Sequence, residues 1–158
     1  MKETKEMMKR VSGAVILVVL VSIGSVLAQR QAPQGPLVQV YKTPTCGCCA
    51  NWVKHLQENG FATRVVDMPD LGDIKAKNNV PGPAQSCHTA TVDGYVLEGH
   101  VPAADVKRLL KDRPAVLGLA VPGMPIGSPG MEVPGVKPAA YNVMSFDRKG
   151  QLAVFASH

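Results

Sequence analysis

Aromatic side chains make up only 4% of this 158-residue sequence, and no stripe of basic residues runs interleaved with them. That excludes the stacking platform and charged groove by which nucleic acid is held. Charge of either sign is sparse, with 17 Lys/Arg against 12 Asp/Glu for a net of +5. Four of the basic and two of the acidic residues fall in positions 1–28, leaving 13 and 10 in the remainder, a net near +3. Such a weak, dispersed excess serves solubility and names no polyanionic partner. Internal repeats are also lacking, apart from a Pro-Gly-Met echo at 122–124 and 129–131. Cysteine is scarce as well, at four residues, yet three of them crowd into "CGCC" at 46–49 and the fourth is Cys87.

The N-terminus is built for targeting. Lys2, Lys5, Lys9 and Arg10 precede an uncharged, mainly apolar run from Val11 to Leu27, and Val26-Leu27-Ala28 offers a cleavage site before Gln29. Residues 1–28 therefore read as a signal peptide. The alternative is an uncleaved anchor, since the run is long for a signal core and short for a spanning helix. Either way the rest is exported, to the periplasm if the cell is bacterial, and membrane contact is expected only if the segment stays attached. Residues 29–36 read as a linker. Residues 37–158 are enough for one domain with a modest core.

Within that domain the patterning predicts a mixed α/β fold. "LVQVYKT" (37–43) and "FATRVVDM" (61–68) read as strands. Cys49, Trp52, Val53 and Leu56 recur at helical spacing and predict a helix over about 46–59 that stops at Gly60. A short polar helix is expected over 70–79, opened by Asp70. "SCHTATV" (86–92) and "YVLEGHV" (95–101) flank Asp93-Gly94, a hairpin turn signal. Pro102–Asp112 predicts a third helix. The order βαβαββα suits a mixed sheet with flanking helices, a thioredoxin-like layout. Residues 114–138 hold six prolines and five glycines and read as a long loop. A terminal β-hairpin is expected around Arg148-Lys149-Gly150.

A strand delivering C-x-x-C to a helix start is a redox signature, and Cys46 and Cys49 have that spacing. Free N–H groups and the helix dipole favour thiolates there. A purely stapling role fits badly. Cys48 and Cys49 are adjacent, Cys46 and Cys48 are too close for good bridge geometry, and one bridge to Cys87 leaves two thiols over. Cys48 is a competing nucleophile in a redox motif but an extra soft donor in a metal site. In a thioredoxin-like topology the segment before the third strand passes over the helix start, so Cys87 is expected near the trio. Four soft sulfurs select Cu(I), zinc or an iron–sulfur cluster. Adjacent cysteines fit one tetrahedral zinc poorly and suit bridged cuprous ions better.

The motifs "TPTCGCCANW", "SCHTATVDGYVLEGHVP", "PAVLGLAVPGMPIGSPGME" and "VFASH" resemble the CopG-like family of exported, thioredoxin-like copper-resistance proteins, over about residues 37–158. The resemblance implies copper binding, chiefly as Cu(I), in a cysteine-ligated cluster with Cys46, Cys48, Cys49 and Cys87 as metal ligands. It also allows Cu(I)/Cu(II) redox activity and exchange with other copper-handling proteins of the periplasm. Ser86-Cys87 stands where ordinary thioredoxins carry Thr then cis-Pro, which weakens the case for general disulfide exchange. The alternative kept open is a periplasmic thiol–disulfide oxidoreductase, with Cys46 as nucleophile and Cys49 as resolving thiol.

Lesser candidates are Met124 and Met131, thioethers in Pro-Gly loops that either bind Cu(I) or form a hydrophobic lid. His100, at a strand end, is a further candidate ligand. His88, expected on a strand facing away from Cys87, is a weaker one. His55 is expected in solvent, Lys42 and Lys54 are placed to offset thiolate charge although exposed lysines usually play no such specific role, and Met68, Met144 and Trp52 read as packing residues.

Overall fold

The computed structural model describes residues 35–158, so the targeting segment and most of the linker lie outside the described residues. Strand β1 (Leu37–Lys42) buries Val38 and Val40 by simple alternation. Helix α1 (Gly47–Glu58) follows, and its buried face is Cys49, Trp52, Val53 and Leu56, as the spacing predicts. Gly60, at φ 91°, reverses the chain into β2 (Ala62–Asp67). Helix α2 (Gly72–Lys77) is shorter than expected, and the Asp70 carboxylate accepts from Gly72 N–H at 3.0 Å. A 3₁₀ turn at Gly82–Ala84 leads to the hairpin β3 (Thr89–Val92) and β4 (Tyr95–Glu98). Asp93 and Gly94 both have positive φ, as the two-residue turn requires. Helix α3 (Ala103–Asp112) follows, with Pro102 just ahead of it.

The seven-stranded sheet has the order β2-β1-β3-β4-β5-β6-β7, where β5 is Gly118–Ala120, β6 Asn142–Phe146 and β7 Leu152–Ser157. Strand β1 is parallel to β2 and antiparallel to β3, and β3 pairs with β4 as a hairpin. This is the expected mixed α/β class, and the β2-β1-β3-β4 half is consistent with thioredoxin-like connectivity. The terminal hairpin is present, its turn tied by Asp147 Oδ1, which accepts from Lys149 N–H and Gln151 N–H.

Two expectations fail. Strand β3 begins at Thr89, so Ser86, Cys87 and His88 belong to the preceding loop. The 114–138 segment is not all loop, because β5 pairs parallel with β4 and antiparallel with β6. Its three residues carry no β-branched side chain, and glycine is required at 118, where a Cβ would overlap the Val96 carbonyl oxygen. Neighbouring strands impose this strand; local propensity does not.

The main core joins α1 and α3 to the sheet, with Trp52, Leu56, Leu97, Val106, Leu109 and Leu119 at its centre. Leu97, fully buried, is expected to cost about 2–5 kcal/mol when cut to alanine. Val154→Ala, at a site 58% exposed, should stay within about 0.5 kcal/mol of the parent. Denaturant midpoints at unchanged m-value check both.

Candidate metal centre

The turn Thr43-Pro44-Thr45 ends β1 and sets Cys46 at the N-cap of α1, with Cys46 N–H donating to the Thr43 carbonyl at 3.1 Å. Cys48 and Cys49 then lie in the first helical turn. Cys49 is fully buried, while Cys46 and Cys48 are half-buried. The Cys87 loop meets this turn from the other side. All four sulfur atoms lie within 4.8 Å of one another. Cys46 and Cys49 are joined as a disulfide, with Cys48 Sγ 3.5 Å from Cys46 Sγ, and Cys48 and Cys87 are free. Burial, then the neighbouring Cys48, pushes the Cys87 thiol up to about 11. A bare Cys87 is thus protonated at neutral pH, and a soft cation must displace that proton to bind.

The histidines are closer than the sequence suggested. Because residues 86–88 are loop, strand alternation does not turn His88 away: its Nδ1 lies 3.3 Å from Cys87 Sγ. Its ring packs on Trp52 at 4.3 Å, it is fully buried, and Nε2 has no hydrogen-bond partner among the described residues. Burial holds its basicity well below the usual imidazole range. His100 Nε2 lies 3.1 Å from Cys87 Sγ, and its Nδ1 is 2.7 Å from the Pro129 carbonyl. A carbonyl can only accept, so Nδ1 carries the hydrogen. In the neutral ring, favoured by burial, Nε2 then presents its lone pair to the sulfur.

The Cys87 loop rests on a group that the sequence reading passed over. Glu98, fully buried at the end of β4, accepts from Ser86 N–H at 2.7 Å and Thr89 Oγ1 at 2.7 Å, and pairs with Lys75 of α2. Ser86 Oγ–H donates to the Gly123 carbonyl and Gly99 N–H to the His88 carbonyl. An acidic residue inside the apolar run "YVLEGH" was the available signal. Lys75 gave none, since it sits in a helix that reads as solvated.

The Pro/Gly-rich segment packs against the same helix turn. A Cβ on Gly130, at φ 86°, would stand 2.7 Å from the Cys48 carbonyl oxygen and 2.8 Å from Trp52 N. The backbone therefore lies too close to α1 for any side chain at 130. Met131 is half-buried there, its N–H bonded to the Ser128 carbonyl, whereas Met124 is 52% exposed, next to Gly123. One further expectation is corrected. His55 is half-buried and its Nε2 accepts from Ala103 N–H at 3.1 Å, capping α3. Lys42 and Lys54 face carboxylates, Asp67 at 2.8 Å and Glu58 at 3.7 Å. Trp52, as expected, is core, with Nε1–H donating to the Val101 carbonyl at 2.9 Å.

A family model described as a protein of unknown function, DUF411, matches residues 84–131. That stretch spans the Cys87 loop and the segment packed on α1. No curated protein sequence matches the chain significantly. Two solved structures, forms 1 and 2 of a copper resistance protein CopG, match at 43% identity and a TM-score of 0.74. The alignment covers 79% of this chain, 98% of form 1 and 99% of form 2. The chain belongs to the CopG copper-resistance family. The family supports a copper-related role, and the cysteine cluster brings together donors that suit it.

The support under the Cys87 loop is testable without metal. Glu98→Ala strands a buried ammonium and is expected to cost about 3–5 kcal/mol. The double replacement Lys75→Met with Glu98→Leu should cost less than that single change, because no lone charge is left. Chemical denaturation of the three proteins decides it, and a double variant weaker than Glu98→Ala would contradict the paired-charge account.

Proposed function

We propose that the chain is an exported copper-binding protein that holds Cu(I) through Cys46, Cys48, Cys49 and Cys87 as part of copper resistance in the periplasm. The observation that carries this is the convergence of four sulfurs from two separated segments within 4.8 Å, in a chain of a copper-resistance family. Closely packed thiolates repel one another, and a soft monovalent cation relieves that repulsion while accepting sulfur better than oxygen or nitrogen. Bridging between several cuprous ions suits the adjacent pair Cys48-Cys49, which fit a single tetrahedral ion poorly. Met124 and Met131 are candidate further donors, since thioethers bind Cu(I) and reject harder ions.

Full loading requires the Cys46–Cys49 bond to open, because a disulfide sulfur carries no thiolate charge. The same pair supports one two-electron reduction of copper, after which a thiol reductant must reopen the bond before it can act again. Two cupric ions oxidise the Cys46 and Cys49 thiols, one electron going to each ion. The products are two cuprous ions, one S–S bond and two protons.

One observation favours a second reading, a thiol–disulfide oxidoreductase: Cys46 and Cys49 are already bonded at a helix N-terminus. The two readings separate on Cys48 and Cys87. Reduced protein titrated anaerobically with Cu(I) against a competing chelator should take up several ions per chain. Cys48→Ser and Cys87→Ser should each lower that stoichiometry or weaken binding at least tenfold. If both variants bind Cu(I) like the parent and retain full activity in a disulfide-reduction assay, the oxidoreductase reading replaces the copper one.

A further inference from the structure

The cysteine cluster is not the only converging donor set. Cys87 Sγ and one ring nitrogen each of His88 and His100 also lie within 4.8 Å of one another. This group shares Cys87 with the four-sulfur group and nothing else. We propose that Cys87, His88 and His100 form a second copper site, one that takes Cu(II) and stays complete while Cys46 and Cys49 are joined. The proposal deepens the copper-binding reading by giving the same centre a separate place for the other oxidation state.

Donor chemistry makes the division. Four thiolates form a soft set, whereas two imidazoles and one thiolate form the trigonal His₂Cys arrangement that accommodates Cu(II). Imidazole nitrogen is a better partner for the cupric ion than a third or fourth sulfur, and one thiolate still tolerates the cuprous state. The disulfide makes the division conditional. With Cys46 and Cys49 joined, the four-sulfur group keeps only Cys48 and Cys87 as thiols. The His₂Cys group loses nothing, because neither histidine depends on the bonded pair. The Cys46–Cys49 bond therefore selects which donor set is whole, with Cys87 common to both.

The two histidines are held as ligands are held. His100 donates Nδ1–H to the Pro129 carbonyl at 2.7 Å, which fixes the ring and leaves Nε2 facing Cys87 at 3.1 Å. A metal-binding histidine is usually anchored in this way through its other nitrogen. His88 is fully buried, has Nδ1 3.3 Å from Cys87, and its other ring nitrogen has no partner among the described residues. Its one polar side-chain neighbour is thus the shared thiol. The nitrogen that faces the shared thiol is Nδ1, so an ion between the three residues would be met by His88 Nδ1 and His100 Nε2. The rings stand in an edge-on pair with centroids 5.1 Å apart, which lets both nitrogens approach one sulfur.

The test uses the chain with its Cys46–Cys49 bond closed and Cys48→Ser introduced, so that Cys87 has no free thiol to pair with. Titration with Cu(II) should give one tightly held ion per chain, a sulfur-to-copper charge-transfer band, and nitrogen hyperfine couplings from two imidazoles in pulsed electron paramagnetic resonance. His88→Gln and His100→Gln should each weaken that binding at least tenfold and remove one nitrogen coupling. Absence of the charge-transfer band, or couplings from no imidazole, overturns the proposal. That spectrum needs no histidine variant, so the outcome does not hang on either substitution folding. Cu(I) uptake by the fully reduced parent, measured in parallel, judges the four-sulfur reading separately. A chain that fails to load Cu(I) yet shows the two-imidazole Cu(II) signal supports this site alone. One that loads Cu(I) normally without that signal rejects it.

Discussion

The arrangement of the centre depends on a buried carboxylate that is not itself one of its donors. Glu98 is fully buried, and it accepts from the Ser86 backbone and Thr89 while facing the Lys75 ammonium. These contacts fix both ends of the loop that carries Cys87 and His88. A loop with no regular hydrogen-bond ladder would otherwise wander by more than the few tenths of an ångström that metal ligation tolerates. Burying an ion pair contributes little to stability and can oppose it. Its use here is positional: it couples α2, β4 and the Cys87 loop into one unit.

The opposite wall is held by different means. Helix α1 brings three cysteines through its first turn because β1 and the Thr43-Pro44-Thr45 turn aim it, and its Trp52 face anchors it in the core. The Ser128–Met131 stretch then lies against that turn at Gly130 and reaches across to His100 through the Pro129 carbonyl. The centre is thus enclosed by three segments widely separated in sequence, each fixed by its own backbone contacts. Pre-set donors of this kind do not have to be gathered by the ion, which lowers the ordering cost of binding.

Local features of this centre were legible in the sequence, and tertiary ones were legible only where topology dictated them. The strand–CGCC–helix junction follows from turn residues and helical spacing in one short stretch. The approach of Cys87 followed from the order of strands, since a βαβαββα sheet brings the segment before its third strand to the helix start. His88 was misplaced because alternation was applied two residues before the strand begins, and side-chain alternation holds only where the backbone is paired. Strand β5 was missed because Gly-Leu-Ala has no strand propensity of its own. The Glu98–Lys75 pair was out of reach, because nothing local links an acid in β4 to a lysine in a polar helix.

The position ahead of β3 also bears on what the centre can accept. In ordinary thioredoxins that position helps dock an extended substrate peptide, and here it carries a thiol. The neighbouring space is taken by the Gly123 carbonyl, bonded to Ser86, and by the Gly130 backbone seated on the helix turn. A polypeptide would have to displace both to lie along the loop. An ion has no such requirement, since Cys46, Cys48 and Cys87 each keep part of their surface open. The three part-exposed sulfurs can therefore be reached by a small ion without moving the backbone packed beside them.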